Sequence, residues 1–250
     1  MAAVNAVLFI FTATLFSCKS YPADSKVKDF MNNDNNSVTY IDKGSYSIIK
    51  PAAMTEDKFS DNTLGIIFYP GGLVEYKAYL PLMKKLAQQG ALCILVEMPF
   101  DFAFMDYRAA GRFLKLYPEI KHWYMAGHSL GGAMAASYVS RHEEDFEGLI
   151  LLAAYSTHNI SASGVKVLSI YGSNDRILNL KRYNKNKKNL PPYGHGLTEI
   201  IIDGGNHAQF ASYGQQKHDG KAEISSEEQQ IITASEIKQW ADITAEAGSK

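Results

Sequence analysis

The chain has 250 residues, of which 46% are hydrophobic and 20% charged, with a formal net charge of -1 at pH 7. That length suffices for one sizeable domain with a buried core, and the composition is that of an ordinary globular protein. Charge is spread without a long run of one sign, which argues against nucleic acid as a partner. The two cysteines, Cys18 and Cys93, show no metal-ligand spacing, so no metal or other cofactor is implied.

Residues 7–16 form an apolar run followed by Ser17, Cys18, Lys19 and Ser20. The run is too short to span a bilayer comfortably and suits the apolar core of an export signal. Leu15-Phe16-Ser17-Cys18 resembles a bacterial lipobox, whose cysteine carries lipid and becomes the mature N-terminus. Phe16 is bulkier than that motif prefers, and no Lys or Arg precedes the run. The expectation is a signal over residues 1–18 and an exported protein of the cell envelope or exterior, with membrane attachment through Cys18. Residues 19–37 are polar and rich in asparagine (Asn32, Asn33, Asn35, Asn36), which predicts a tether. Residues 38–250 form the folded domain.

Within that domain, residues 38–40 and 45–49 read as edge strands joined through Lys43-Gly44. A buried strand over 64–69 ends in Pro70-Gly71-Gly72. A helix is predicted over 76–89, with Leu80, Met83 and Leu86 at helical spacing and Gly90 as its stop. The next strand, 91–97, contains Cys93 as a small buried hydrophobe. A helix over 104–117 stops at Pro118, a strand follows over 122–126, and a helix of small residues covers 131–142. Strands over 149–153, 165–171 and 197–202 precede a terminal helix over 226–245, where Ser225 and Glu228 are spaced for a capping box. Strands alternating with helices predict an α/β fold, a mostly parallel sheet flanked by helices on both faces.

The segment with chemical content is Gly127-His128-Ser129-Leu130-Gly131-Gly132, a G-x-S-x-G pattern between a strand and a helix. A serine on such a bend sits in a strained backbone, its hydroxyl raised above the sheet beside a helix N-terminus that favours negative charge. Ser129 is therefore the candidate nucleophile. A serine needs a base, and Gly204-Gly205-Asn206-His207 follows the last strand directly, so His207 is the candidate. His128 lies inside the bend. His122 and His142 flank a strand and a helix, and His158 and His195 sit in polar loops. His218, just beyond, is the rival. A carboxylate must orient the imidazole. Asp175, after Tyr171-Gly172-Ser173-Asn174, stands at a strand's C-terminal end, where open α/β sheets place functional loops. Asp203 is the runner-up, closer in sequence and suited to capping its own loop. The oxyanion donors expected are the backbone N–H of Leu130 and that of Gly72 or Leu73.

With these residues in place the chain resembles the α/β-hydrolase superfamily, most of all its compact lidless branch near the dienelactone-hydrolase-like members. Phe68-Tyr69-Pro70-Gly71-Gly72, Gly127-His128-Ser129-Leu130-Gly131-Gly132-Ala133-Met134-Ala135 and Gly205-Asn206-His207-Ala208-Gln209-Phe210 carry the resemblance. Many members have His-Gly where this chain has Pro70-Gly71. The resemblance implies a serine hydrolase acting on a small-molecule acyl substrate through an acyl-enzyme, and it leaves the substrate open. The short connection over 154–164 predicts no cap domain and an open site. An acyltransferase with the same triad, a peptidase, and a non-catalytic exported binding protein on this fold are the alternatives. Residues 98–105 read equally as a wall of the substrate pocket and as an apolar loop packed under the next helix. The basic stretch Lys181, Arg182, Lys185, Lys187 and Lys188 reads as a solvated face.

Overall fold

The computed structural model describes residues 20–25, 27, 37–55, 59 and 63–248. Cys18, the expected signal and most of the expected tether lie outside the described residues. Eight strands, β1 (Val38–Asp42), β2 (Tyr46–Pro51), β3 (Leu64–Tyr69), β4 (Leu92–Val96), β5 (His122–His128), β6 (Gly148–Leu152), β7 (Lys166–Gly172) and β8 (Leu197–Ile202), make one sheet. Its order is β1-β2-β4-β3-β5-β6-β7-β8. β2 runs antiparallel to both β1 and β4, and all other neighbours are parallel.

β3, β4 and β6 are buried at every position, because helices cover both faces of the parallel part. Alternate side chains therefore enter different cores. Ile66 and Phe68 pack with α1 (Leu80–Gln88) and the terminal α5 (Ser226–Gly248), while Ile67 and Tyr69 pack with α2 (Ala110–Leu116) and α3 (Leu130–Val139). The predicted hairpin is present, with Gly44 at φ 80° and the Asp42 carboxylate accepting its N–H. Cys93 is fully buried, and burial pushes its thiol up. The connection over 153–165 contains no helix or strand and so supplies no helical cap to the C-terminal end of the sheet. Among the described residues no helix is long and apolar enough to cross a membrane.

Three elements differ from expectation. The helix expected over 76–89 is a 3-10 turn, Tyr76–Tyr79, followed by α1, whose first turn holds Pro81. The helix expected over 104–117 shrinks to α2. The Tyr69 hydroxyl donates to the Tyr107 carbonyl and accepts the Ala110 N–H, both at 2.8 Å, which sets the start of the helix from the neighbouring strand. The basic stretch forms a short helix, α4 (Leu180–Asn186), started by Asn179, whose side chain accepts the Arg182 N–H, and held by buried Tyr183.

The tether reading fails for residues 20–25 and 27, which are packed on the domain. The Tyr21 N–H donates to the Leu73 carbonyl at 2.7 Å, the Glu75 N–H to the Tyr21 carbonyl at 3.0 Å, and the Asp24 N–H to the Ser212 carbonyl at 2.8 Å. The Tyr21 ring lies 5.4 Å from that of Tyr213, and Val27 enters the core. These two apolar side chains anchor a segment whose overall composition is polar.

Candidate active site

Ser129 follows β5 with φ 52° and ψ -119°, a left-handed backbone that non-glycine residues rarely adopt. Its own N–H donates to the Leu152 carbonyl of the next strand at 2.9 Å, which extends the sheet through the bend. The flanking glycines are required sterically. A Cβ on Gly131 would lie 2.3 Å from the carbonyl oxygens of Tyr69 and Pro70, and one on Gly127 would meet the Gly131 backbone at 2.5 Å. α3 begins at Leu130, so the half-buried Ser129 stands at a helix N-terminus, where unpaired N–H groups favour negative charge.

Asp175 and His207, expected from loops 32 residues apart, are in contact. Their side chains are almost wholly buried, with His207 Nδ1 2.8 Å from Asp175 Oδ2. The other carboxylate oxygen accepts the N–H groups of Ile177 and Leu178, each at 2.8 Å. With Nδ1 occupied, Nε2 is the ring nitrogen left to serve a nucleophile. The two loops are also joined along the backbone, since the Asn174 N–H donates to the Gly205 carbonyl and the Ser173 N–H to that of Ile202. His218 is exposed, and Asp203, also exposed, accepts the Ser173 hydroxyl, so neither rival belongs to this pair.

Sequence reasoning missed two supports of this pair. Gln229 on α5 accepts the Asn206 N–H at 2.9 Å and donates to the Asn206 carbonyl at 2.8 Å. Asp219 accepts the N–H groups of Ala208 and Arg176, one from each loop. No local motif announces either residue.

The residue before Ser129 touches this pair. The His128 ring packs against that of His207, with centroids 4.5 Å apart. No hydrogen bond joins Ser129 to His207 among the described residues. Such bonds are often loose without substrate. His128, set aside in the sequence as a residue inside the bend, is packed against the candidate base. The Gly71 N–H donates to the Tyr79 hydroxyl at 2.9 Å, and that hydroxyl pairs with His128 Nδ1 at 2.7 Å. Because the hydroxyl oxygen already accepts the Gly71 N–H, its own proton is the one suited to Nδ1, which leaves the other ring nitrogen, Nε2, buried on the side of His207. Burial first, and the adjacent His207 second, hold the His128 imidazole well below its usual range, so it is neutral. Burial likewise pushes the Tyr79 phenol up.

Of the two residues expected for the second oxyanion donor, one is excluded. The Leu73 N–H is already taken by the Asp101 carbonyl at 2.8 Å, a partner supplied by the loop after β4. The N–H groups of Gly72 and Leu130 have no acceptor among the described residues. The two residues are close, since a Cβ on Gly72 would lie 2.9 Å from Leu130 Cδ2. Among the described residues one group of side chains could hold a metal ion, His142, Glu144 and Asp145, just beyond the far end of α3.

A model of the alpha/beta hydrolase family matches residues 65–231. Among solved structures, the chain resembles a protein predicted to be a CIB-like hydrolase from Thermoplasma acidophilum. That match has a TM-score of 0.56 and 14% identity, over 81% of this chain and 97% of that one. It also resembles a candidate lipase from Acinetobacter baumannii AYE, with a TM-score of 0.59 and 11% identity, over 88% of this chain and 98% of the other. At such identities the likeness is one of fold. No curated protein matches the chain in sequence. The matched stretch runs from β3 into α5, well over half of the chain, and takes in Gly72, Ser129, Asp175 and His207: the chain belongs to the alpha/beta hydrolase family.

Proposed function

We propose that the protein is a serine hydrolase that cleaves small acyl esters through an acyl-enzyme. Ser129 Oγ attacks the acyl carbon while His207 Nε2 takes its proton. Asp175 holds the imidazole by Nδ1 and stabilises the imidazolium. The oxyanion rests on the N–H groups of Leu130 and Gly72. His207 returns the proton to the departing alcohol, then activates water to release the acid. The observation that carries this reading is the buried Asp175–His207 pair, packed against His128, the residue before a serine held in a left-handed bend at a helix N-terminus. The uncapped connection over 153–165 supports an open site for short acyl groups. We also propose that the chain is exported and attached to a membrane through Cys18.

A fluorophosphonate probe tests the first reading. Ser129 should be labelled within minutes, and Ser129→Ala should abolish both labelling and the hydrolysis of p-nitrophenyl acetate. Hydrolysis that survives Ser129→Ala would overturn it.

A further inference from the structure

The loop after β4 holds three large, partly exposed apolar side chains within six residues: Phe100 is 69% exposed, Phe104, whose ring lies against that of Phe102, 44% and Met105 51%. Elsewhere in the described chain, exposed large apolar residues occur one at a time. Met98 and Ala103 of this loop are buried against α2, as an apolar loop under the next helix would be, while these three side chains stay largely exposed, and the loop is not a relaxed turn. Phe100 and Asp101 are both left-handed, at φ 56° and 57°, a region that bulky residues avoid. Asp101 locks this conformation. Its carbonyl accepts the Leu73 N–H at 2.8 Å, beside the candidate donor Gly72, and its carboxylate accepts the Ser20 hydroxyl at 2.5 Å. The turn Ala103–Met105 then packs on α3, the helix that starts at the nucleophile. A cluster of exposed apolar side chains on strained backbone beside a reaction site marks a docking surface.

What it docks on follows from where the chain enters. Ser20, the first described residue, is bonded to Asp101, the neighbour of Phe100. Cys18 lies two residues upstream in the sequence. The apolar run 7–16 leads into it. The part of the sequence that holds Cys18 and the apolar run therefore joins the described domain at Ser20, beside this loop. Arg108, exposed three residues beyond Met105, suits anionic head groups.

We propose that Phe100, Phe104 and Met105 seat this corner on the lipid bilayer, so that the mouth of the site faces the membrane surface and takes its acyl substrates there. The orientation stands on its own; the statement about substrates rests on the hydrolase reading.

Bromolipid quenching tests the orientation with the full chain on vesicles of phosphatidylethanolamine and phosphatidylglycerol. The native Trp123 and Trp240 are buried and give a constant background. The indole of a Phe100→Trp variant should shift to the blue and be quenched several-fold more strongly than that background. Ile243→Trp is the control, 61% exposed near the end of α5, where Trp240 packs on Tyr124 near the start of β5. It should show neither effect. Absence of quenching in Phe100→Trp, or equal quenching in Ile243→Trp, would overturn the proposal. A double variant, Phe100→Ser with Phe104→Ser, should hydrolyse water-soluble p-nitrophenyl acetate at the parent rate. On an ester dissolved in the vesicles it should be at least ~10-fold slower. An equal loss on both substrates would make these residues a pocket wall and defeat membrane docking. If the parent cleaves neither ester, the hydrolase reading fails, while the quenching result still decides the orientation.

Discussion

The two sides of the site are held by opposite means. On the side of the base, side chains satisfy one another: Asp175 bonds His207 and two backbone amides, while Gln229 and Asp219 brace the adjoining loops. On the side of the nucleophile, the backbone itself is bent. Ser129, Leu73, Phe100 and Asp101 all have positive φ, and the amides of Gly72 and Leu130 have no acceptor among the described residues. Under the proposed mechanism the difference follows from what each side must deliver. A base needs one tautomer and one ring orientation, which bonded side chains provide. An oxyanion hole needs donors that are aimed but unoccupied, which only a strained, tightly packed backbone can keep.

The largest test of this contrast is on the base side. Asp175→Asn preserves size but reverses the bonding at His207 Nδ1, and kcat for a short-chain ester should fall by roughly 10⁴-fold while the fold survives. Circular dichroism checks the fold, and an unchanged kcat would detach Asp175 from the chemistry.

Two glycine substitutions then separate packing from donation on the nucleophile side. Gly131→Ala would drive a Cβ into two backbone carbonyls at 2.3 Å. Thermal unfolding should show a loss at or above the upper end of the ~1–3 kcal/mol typical of overpacking. Gly72→Ala meets only the movable end of the Leu130 side chain. It should keep the parent Tm and lower kcat several-fold with little change in KM. The reverse order of stabilities would mean that the bend, not the loop, tolerates change.

The smallest effect concerns His128, which faces Tyr79, His207 and Phe210, with Asp175 behind His207. Its imidazole stays neutral when folded but takes a proton below its ordinary value of 6.5 when unfolded. The unfolded chain then binds more protons, so stability falls as pH drops below 6.5, by up to about 1.4 kcal/mol per pH unit. Urea midpoints across that range should show a shallower slope for His128→Asn; an identical slope would assign the acid sensitivity to other groups.

What could be read before folding is what neighbouring residues decide among themselves. The Ser129 bend was legible because Gly127 and Gly131, four residues apart, touch each other within it. The central strands were legible because uninterrupted apolar runs need two covered faces. Asp175 and His207 were reached through chain order and position after strands, and only the fold shows their 2.8 Å contact. Other features depend on partners brought from far along the chain. The Leu73 amide is occupied because Asp101 arrives from another loop. α2 begins where the hydroxyl of Tyr69 meets it, residues 20–25 are docked because Tyr21 finds Tyr213, and His128 packs on the base. Local sterics are written into adjacent residues, whereas the occupancy of a given N–H or the seat of a given ring depends on which surfaces the packed sheet brings together.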